Sequence, residues 1–156
     1  MDEALFTALC REHMPAFFRM ACSILHSTAD AEDAVQQALL RAWQSRSSAR
    51  QGLERAWMMR IVINESITLL RKRRRTLPTD DFPTLTSPEA AGPSALHEAI
   101  RALPESLRTP LLLKYMEGLT EREVATALRL SLPAVKNRLF RARKALQKLL
   151  NEEVSP

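Results

Sequence analysis

Apolar residues recur at helical spacing along most of this 156-residue chain, which predicts an all-α fold. The clearest stretch runs from Gly118 to Leu150. Thr120 can cap the first free N–H groups of a helix, and Glu123, three residues on, can reach back to complete a capping box. Val124 and Leu128 then follow at helical spacing. Arg129-Leu130-Ser131-Leu132 breaks the pattern, and Pro133 suits the first turn of a new helix, where its missing N–H costs nothing. In that helix Val135, Leu139, Ala142, Leu146 and Leu149 form one apolar stripe, with Lys136, Asn137, Phe140, Arg141 and Lys144 on the neighbouring face. A short helix, a tight turn and a longer helix with a basic outer face predict a helix-turn-helix whose second helix enters a DNA major groove. A plain helical hairpin with a solvated basic face fits the same pattern. Phe140 favours DNA, because an aromatic ring among charges is costly in water and useful against a thymine methyl or a sugar.

The rest of the chain reads as more helices and one linker. Residues 3–25 are helical, with Pro15 marking a break or kink. Thr28 or Asp30 can cap a helix from 29 to 44 whose inner face is Val35, Ala38, Leu39, Ala42 and Trp43. Its acidic first turn, Asp30, Glu32 and Asp33, suits the helix dipole. Ser45 to Gly52 is a polar loop. A largely apolar helix follows from Leu53 to Arg71, with Trp57, Ile61, Asn64 and Thr68 along one side, and it ends in five consecutive cations, Arg71 to Arg75. Five exceed what a helix terminus needs and point to phosphate contact. Residues 76–94 hold four prolines and three acids with no Lys or Arg, the composition of an extended linker that is disordered when free. Short helices over 96–102 and 105–117 complete the chain. Pro110 conflicts with the second unless that helix starts at Thr109-Pro110, and Gly118 suits a left-handed C′ position.

Charge sharpens the division. Residues 1–75 carry 12 basic and 8 acidic groups, residues 76–95 carry 3 acidic groups alone, and residues 96–156 carry 11 basic and 7 acidic groups. Two basic modules joined by an acidic tether give the net charge of +5 and predict polyanionic partners. The domains expected are therefore 1–75, a linker over 76–95, and 96–156. No apolar run is long enough to span a membrane, and the acidic start lacks a signal peptide's basic region, so a soluble intracellular protein is expected. Cys10 with His13 and Cys22 with His26 resemble zinc half-sites, but on a helix they lie roughly 18 Å apart, so two buried, reduced cysteines are expected and no metal. No phosphate-cradling glycine loop and no nucleophile paired with a base is present, so no enzyme and no cofactor is predicted.

Three motifs then carry a resemblance. Asp30-Ala31-Glu32-Asp33-Ala34-Val35-Gln36-Gln37-Ala38-Leu39-Leu40-Arg41-Ala42-Trp43 resembles the second conserved region of bacterial sigma factors of the extracytoplasmic-function (ECF) group. Trp57-Met58-Met59-Arg60-Ile61-Val62-Ile63-Asn64 and the basic run after it are similar to that family's promoter-melting helix. Leu103-Pro104-Glu105-Ser106-Leu107-Arg108, and Gly118 through Arg143, resemble its fourth region.

The resemblance implies a cytoplasmic transcription initiation subunit without catalysis of its own. Its partners would be core RNA polymerase, through the β′ clamp helices and β flap, promoter DNA, and an anti-sigma protein. Asp30, Glu32, Asp33 and Gln36 would bind polymerase. Trp57, Arg60 and Asn64, with the loop Ser45 to Arg50 and the cations Arg71, Lys72 and Arg73, would capture the opened −10 element. Lys136, Asn137, Phe140 and Arg141 would read the −35 duplex, with Arg138, Arg143 and Lys144 alongside. Arg138 and Arg143 are expected on phosphates, which position a helix without reading sequence. Three positions depart from the family's usual residues: Gln37 stands for Glu, Thr68 for Asp, and Arg129 for Gly. A dimeric helix-turn-helix operator-binding regulator would explain residues 96–150 but leave the acidic helix and the five cations idle. A helical scaffold that binds no DNA is the third reading.

Overall fold

The structure, a computed structural model, describes residues 1–76 and 95–154. Its helices form two units. In the first, α1 (Glu3–Leu25), α2 (Thr28–Gln44) and α3 (Glu54–Thr76) pack mutually, with a 3-10 turn at Arg46–Ser48. In the second, α4 (Ala95–Ala102), α5 (Glu105–Tyr115) and α6 (Glu121–Leu128) surround the start and middle of α7 (Leu132–Val154). No strand occurs among the described residues. The expected linker lies outside them, except that Thr76 ends α3 and Ala95 begins α4.

The first core is built around an alanine-rich face. Ala31, Ala34, Ala38 and Ala42 of α2 are all buried, and their small side chains let larger ones close in from both neighbours. Phe17, Met20 and Ile24 come from α1, and Met58, Met59, Val62 and Ile63 from α3. The expected inner face holds for Val35, Ala38 and Ala42, whereas Leu39 and Trp43 are only half-buried. Ser66 is fully buried within α3, and its hydroxyl donates to the Val62 carbonyl at 2.8 Å.

Three boundaries differ from expectation. α1 runs unbroken through Pro15. Pro15 and Arg11 are both exposed, so the carbonyl Pro15 leaves without a helical partner faces water while Phe17, Met20 and Ala21 hold the other side in the core. Ser27, not Thr28 or Asp30, caps α2: its hydroxyl accepts from Asp30 N at 3.2 Å, directly after His26 has turned the chain with φ 56°. α3 does not stop at Arg71 but carries all five cations within the helix.

In the second unit, Leu103, Leu107 and Leu111 pack with Ala142, and Ile100, Leu146 and Leu149 close the edge. α5 starts at Glu105 with Pro110 inside it and buried, so the alternative start at Thr109 is not taken. Gly118 adopts φ 72° as expected, and Leu119 N–H then returns to the Leu113 carbonyl at 3.0 Å. The capping box is complete: Thr120 Oγ1 accepts from Glu123 N, and Glu123 Oε1 accepts from Thr120 N, each at 3.1 Å.

Arg129 ends α6 in the left-handed region, φ 54° and ψ 46°, where a side chain costs about 1 kcal/mol. Arg129→Gly is expected to stabilise the second unit by about that amount, and Thr120→Ala to destabilise it by about 1 kcal/mol. Trp43 and Trp57, the chain's 2 tryptophans, both lie in the first unit. Urea denaturation should therefore shift for both variants by helical circular dichroism and stay put by tryptophan fluorescence.

Candidate nucleic-acid interface

α7 buries one stripe and exposes the opposite face. Val135, Leu139 and Ala142 are at most 1% exposed, and Leu146 and Leu149 continue the stripe half-buried. At about 100° per residue, Lys136, Asn137, Phe140, Arg141 and Lys144 fall on the far side, and all five are exposed. Phe140 is 54% exposed, with Lys144 Nζ 5.6 Å from its ring centroid. A ring held among cations on a rigid helix can meet a base edge or methyl while its neighbours approach phosphates.

The remaining two expected contacts on α7 turn elsewhere. Arg138 is half-buried and its Nη1 donates to the Ser106 carbonyl of α5 at 3.4 Å. Arg143 Nη1 donates to the Tyr115 hydroxyl at 2.7 Å. Both engage their own unit.

On α3 the same geometry sorts the residues. Trp57, Arg60, Asn64, Thr68, Arg71 and Arg75 recur at helical spacing along one face, which extends roughly 21 Å from Trp57 to Arg71. Asn64 and Arg71 are exposed, and Trp57 and Arg60 half-buried. Lys72 is exposed beside this face. Arg73 falls on the opposite side, in line with the buried residues, and its Nη2 meets Asp30 Oδ1 at 2.7 Å. Asp30, its side chain only 16% exposed, thus ties the start of α2 to the end of α3. Arg41 of α2 and Glu65 of α3 form a second ion pair between the same helices.

Of the expected polymerase-binding residues, Glu32, Asp33 and Gln36 are exposed. Gln36 stands at a shallow cleft of about 500 Å³ formed with Phe6, Leu39, Leu40 and Trp43. The sequence pattern placed Leu39 and Trp43 in the core and gave no role to Phe6 or to Leu40, which lies off the alanine stripe and is 57% exposed. The Trp43 ring meets Phe6 edge-on at 5.2 Å, and the Arg46 guanidinium lies 3.8 Å from a Trp43 ring centroid. Arg46 Nη1 also donates to the Trp43 carbonyl at 2.9 Å, so the loop from Ser45 begins anchored on α2.

Cys10 and Cys22 form no disulfide and are half-buried rather than buried. Burial pushes the Cys10 thiol up, which keeps it protonated and a poor metal ligand or nucleophile near neutral pH. No cluster of three metal-ligating side chains occurs among the described residues.

Comparison with known proteins agrees with this geometry. The description of sigma-70 region 2 matches residues 9–76 and that of sigma-70 region 4 matches residues 94–146. The ECF RNA polymerase sigma factor SigL of Mycobacterium tuberculosis is 30% identical, over 97% of this chain and 92% of that protein. The RNA polymerase sigma-H factor of Pseudomonas aeruginosa is 28% identical, over 96% of this chain and 88% of that protein. The fold is similar to that of the sigma factor RpoE solved in complex with the anti-sigma factor NepR from Bartonella quintana. There the TM-score is 0.71 at 25% identity, covering 94% of this chain and 96% of that one. It is equally similar to CnrH in complex with the cytosolic domain of CnrY, with a TM-score of 0.71 at 26% identity, covering 97% and 90%. The chain belongs to the ECF group of RNA polymerase sigma factors, and it is a transcription initiation factor that directs the polymerase to promoters.

The Asp30–Arg73 pair gives a test of what these two residues do. Because Arg73 is 46% exposed, solvent screening limits the pair to about 0.5–1 kcal/mol. Asp30→Asn should lower the stability of the first unit by about that amount, and Arg73→Gln should cost less by about the same amount in the Asp30→Asn chain than in the wild type. A double-mutant cycle in urea, read by tryptophan fluorescence, measures it.

Proposed function

We propose that residues 1–75 bind core RNA polymerase and capture the opened −10 element, that residues 76–95 link the two modules, and that residues 96–156 read the −35 element. Glu32, Asp33 and Gln36 meet the polymerase's β′ clamp helices beside the apolar cleft, while Asp30 holds α2 and α3 together. Trp57, Arg60 and Asn64 take unpaired bases, with stacking and edge contacts that offset the few kcal/mol of unstacking. Arg71 and Lys72 lie near the strand's phosphates. Lys136, Asn137, Phe140 and Arg141 read the duplex, with Lys144 at the backbone.

The observation that carries this reading is the outward face of α7, where an exposed Phe140 stands among Lys136, Asn137, Arg141 and Lys144. Such a chain supplies no catalysis of its own and works in the cytoplasm alongside the polymerase. No helix among the described residues is long and apolar enough to cross a membrane. RpoE was solved with a bound anti-sigma factor and CnrH with the cytosolic domain of CnrY, and the first of these supports an anti-sigma protein as a third partner beside polymerase (clamp helices and β flap) and promoter DNA. An operator-binding dimer is not favoured, since α1–α3 match sigma-70 region 2 and have no task in it.

Promoters selected from a genomic library with reconstituted holoenzyme should yield transcripts that core polymerase alone does not make. Asn137→Ala and Phe140→Ala should each change −35 preference by about 1–3 kcal/mol while leaving affinity for core polymerase unchanged. Equal weakening on every −35 sequence, measured by competition binding, would contradict their role as base readers.

A further inference from the structure

Pro110 creates a specific gap in α5. In an unbroken helix the N–H of residue 110 would donate to the carbonyl of Ser106, and proline has no N–H. Pro110 is nonetheless inside the helix and less than 2% exposed, held by packing rather than by backbone bonding. The Ser106 carbonyl is the acceptor that Arg138 Nη1 reaches from α7, 32 residues away in sequence.

The two arginines that engage α5 flank the buried stripe of α7. Taking Val135, Leu139 and Ala142 as the centre, Arg138 lies roughly 60° to one side and Arg143 roughly 80° to the other. Arg138 bonds Ser106 near the start of α5, and Arg143 bonds Tyr115 at its end. Apolar contact alone lets a helix roll or slide slightly on its neighbour, whereas two directional bonds on opposite flanks resist both. Water could satisfy an exposed carbonyl at Ser106, so the value of the Arg138 bond lies in orientation. It fixes the face that α7 presents.

We propose that Arg138 is a positioning residue for −35 recognition, acting through the Ser106 carbonyl that Pro110 leaves open, and not a phosphate contact. This rests on the reading of α7 as the −35 reader. A phosphate contact and a positioning bond make different predictions. Losing a phosphate contact weakens binding on all sequences and lowers the slope of log affinity against log salt by about 1. Losing a positioning bond misaligns base contacts, so discrimination between cognate and altered −35 sequences falls while the slope holds.

The proline also supplies an internal control. In P110A the backbone N–H returns to Ser106, and Arg138 becomes redundant there. The test uses full-length chain in holoenzyme, titrated on cognate and altered −35 duplexes at several salt concentrations, for wild type, Arg138→Met, P110A and the double variant. Arg138→Met should lower discrimination by about two- to tenfold, the range of one hydrogen bond, with the slope unchanged. In the P110A background the same substitution should cost less than twofold. If P110A fails to fold, Pro110→Leu restores the N–H while refilling the space. A slope that falls by about 1, or an equal loss in both backgrounds, overturns the proposal. Thermal melting of the four free chains reads the bond without DNA. Coupling in melting, together with a wild-type holoenzyme that ignores the −35 sequence, overturns the reading of α7 and the positioning role with it, while leaving the bond itself established.

Discussion

Burial of a single stripe on each long helix is the constraint on which the rest depends. A helix that sinks Val135, Leu139 and Ala142 into its neighbours has no freedom over what faces outward. The same holds for α3, where Val62, Ile63 and Ser66 go inward and Asn64, Thr68 and Arg71 are left to solvent. Side-chain burial of this order, at about 1.5–3 kcal/mol per large apolar residue, exceeds any single surface charge interaction. The apolar pattern therefore sets the orientation of the basic faces, and the charges only exploit it.

Polar bonds then refine what packing has fixed. Asp30 with Arg73, and Arg41 with Glu65, hold α2 to α3 outside the alanine face. Arg138 and Arg143 hold α7 to α5 on either side of its buried stripe. Each bond is modest. Together they limit small rotations of helices whose work is to place side chains on DNA, where misplacing one bidentate contact loses about 1–3 kcal/mol of discrimination. Asp30, Arg73, Arg138 and Arg143, whose type and position suggest contact with polymerase or DNA, each bond within their own unit in the free chain.

Much of this was legible in the sequence. The all-α fold, the helix-turn-helix, the capping box at Thr120 and the left-handed Gly118 follow from local rules of periodicity and capping, and those rules held. The left-handed Arg129 could be anticipated because the chain must turn there. The continuity of α1 through Pro15 and α5 through Pro110 could not. Proline's cost is local, whereas the packing that outweighs it involves Phe17 and Met20 in one case and Leu107 and Leu111 in the other. Arg73 illustrates the same limit: five consecutive cations look alike until the helix is known to continue, and then each points about 100° from the last. The cleft at Leu40 was hidden because alanine, not leucine, fills the inner face of α2.

On the proposed function, the outward faces of α3 and α7 meet two different forms of promoter DNA. Photocrosslinking from a benzophenone side chain placed at position 57 or position 140, in holoenzyme bound to a selected promoter, distinguishes them. Position 140 should crosslink to duplex DNA around −35, and position 57 to the non-template strand at −10 only once the strands have opened. Crosslinks from both positions to the same duplex segment, or from neither to DNA, would contradict that function.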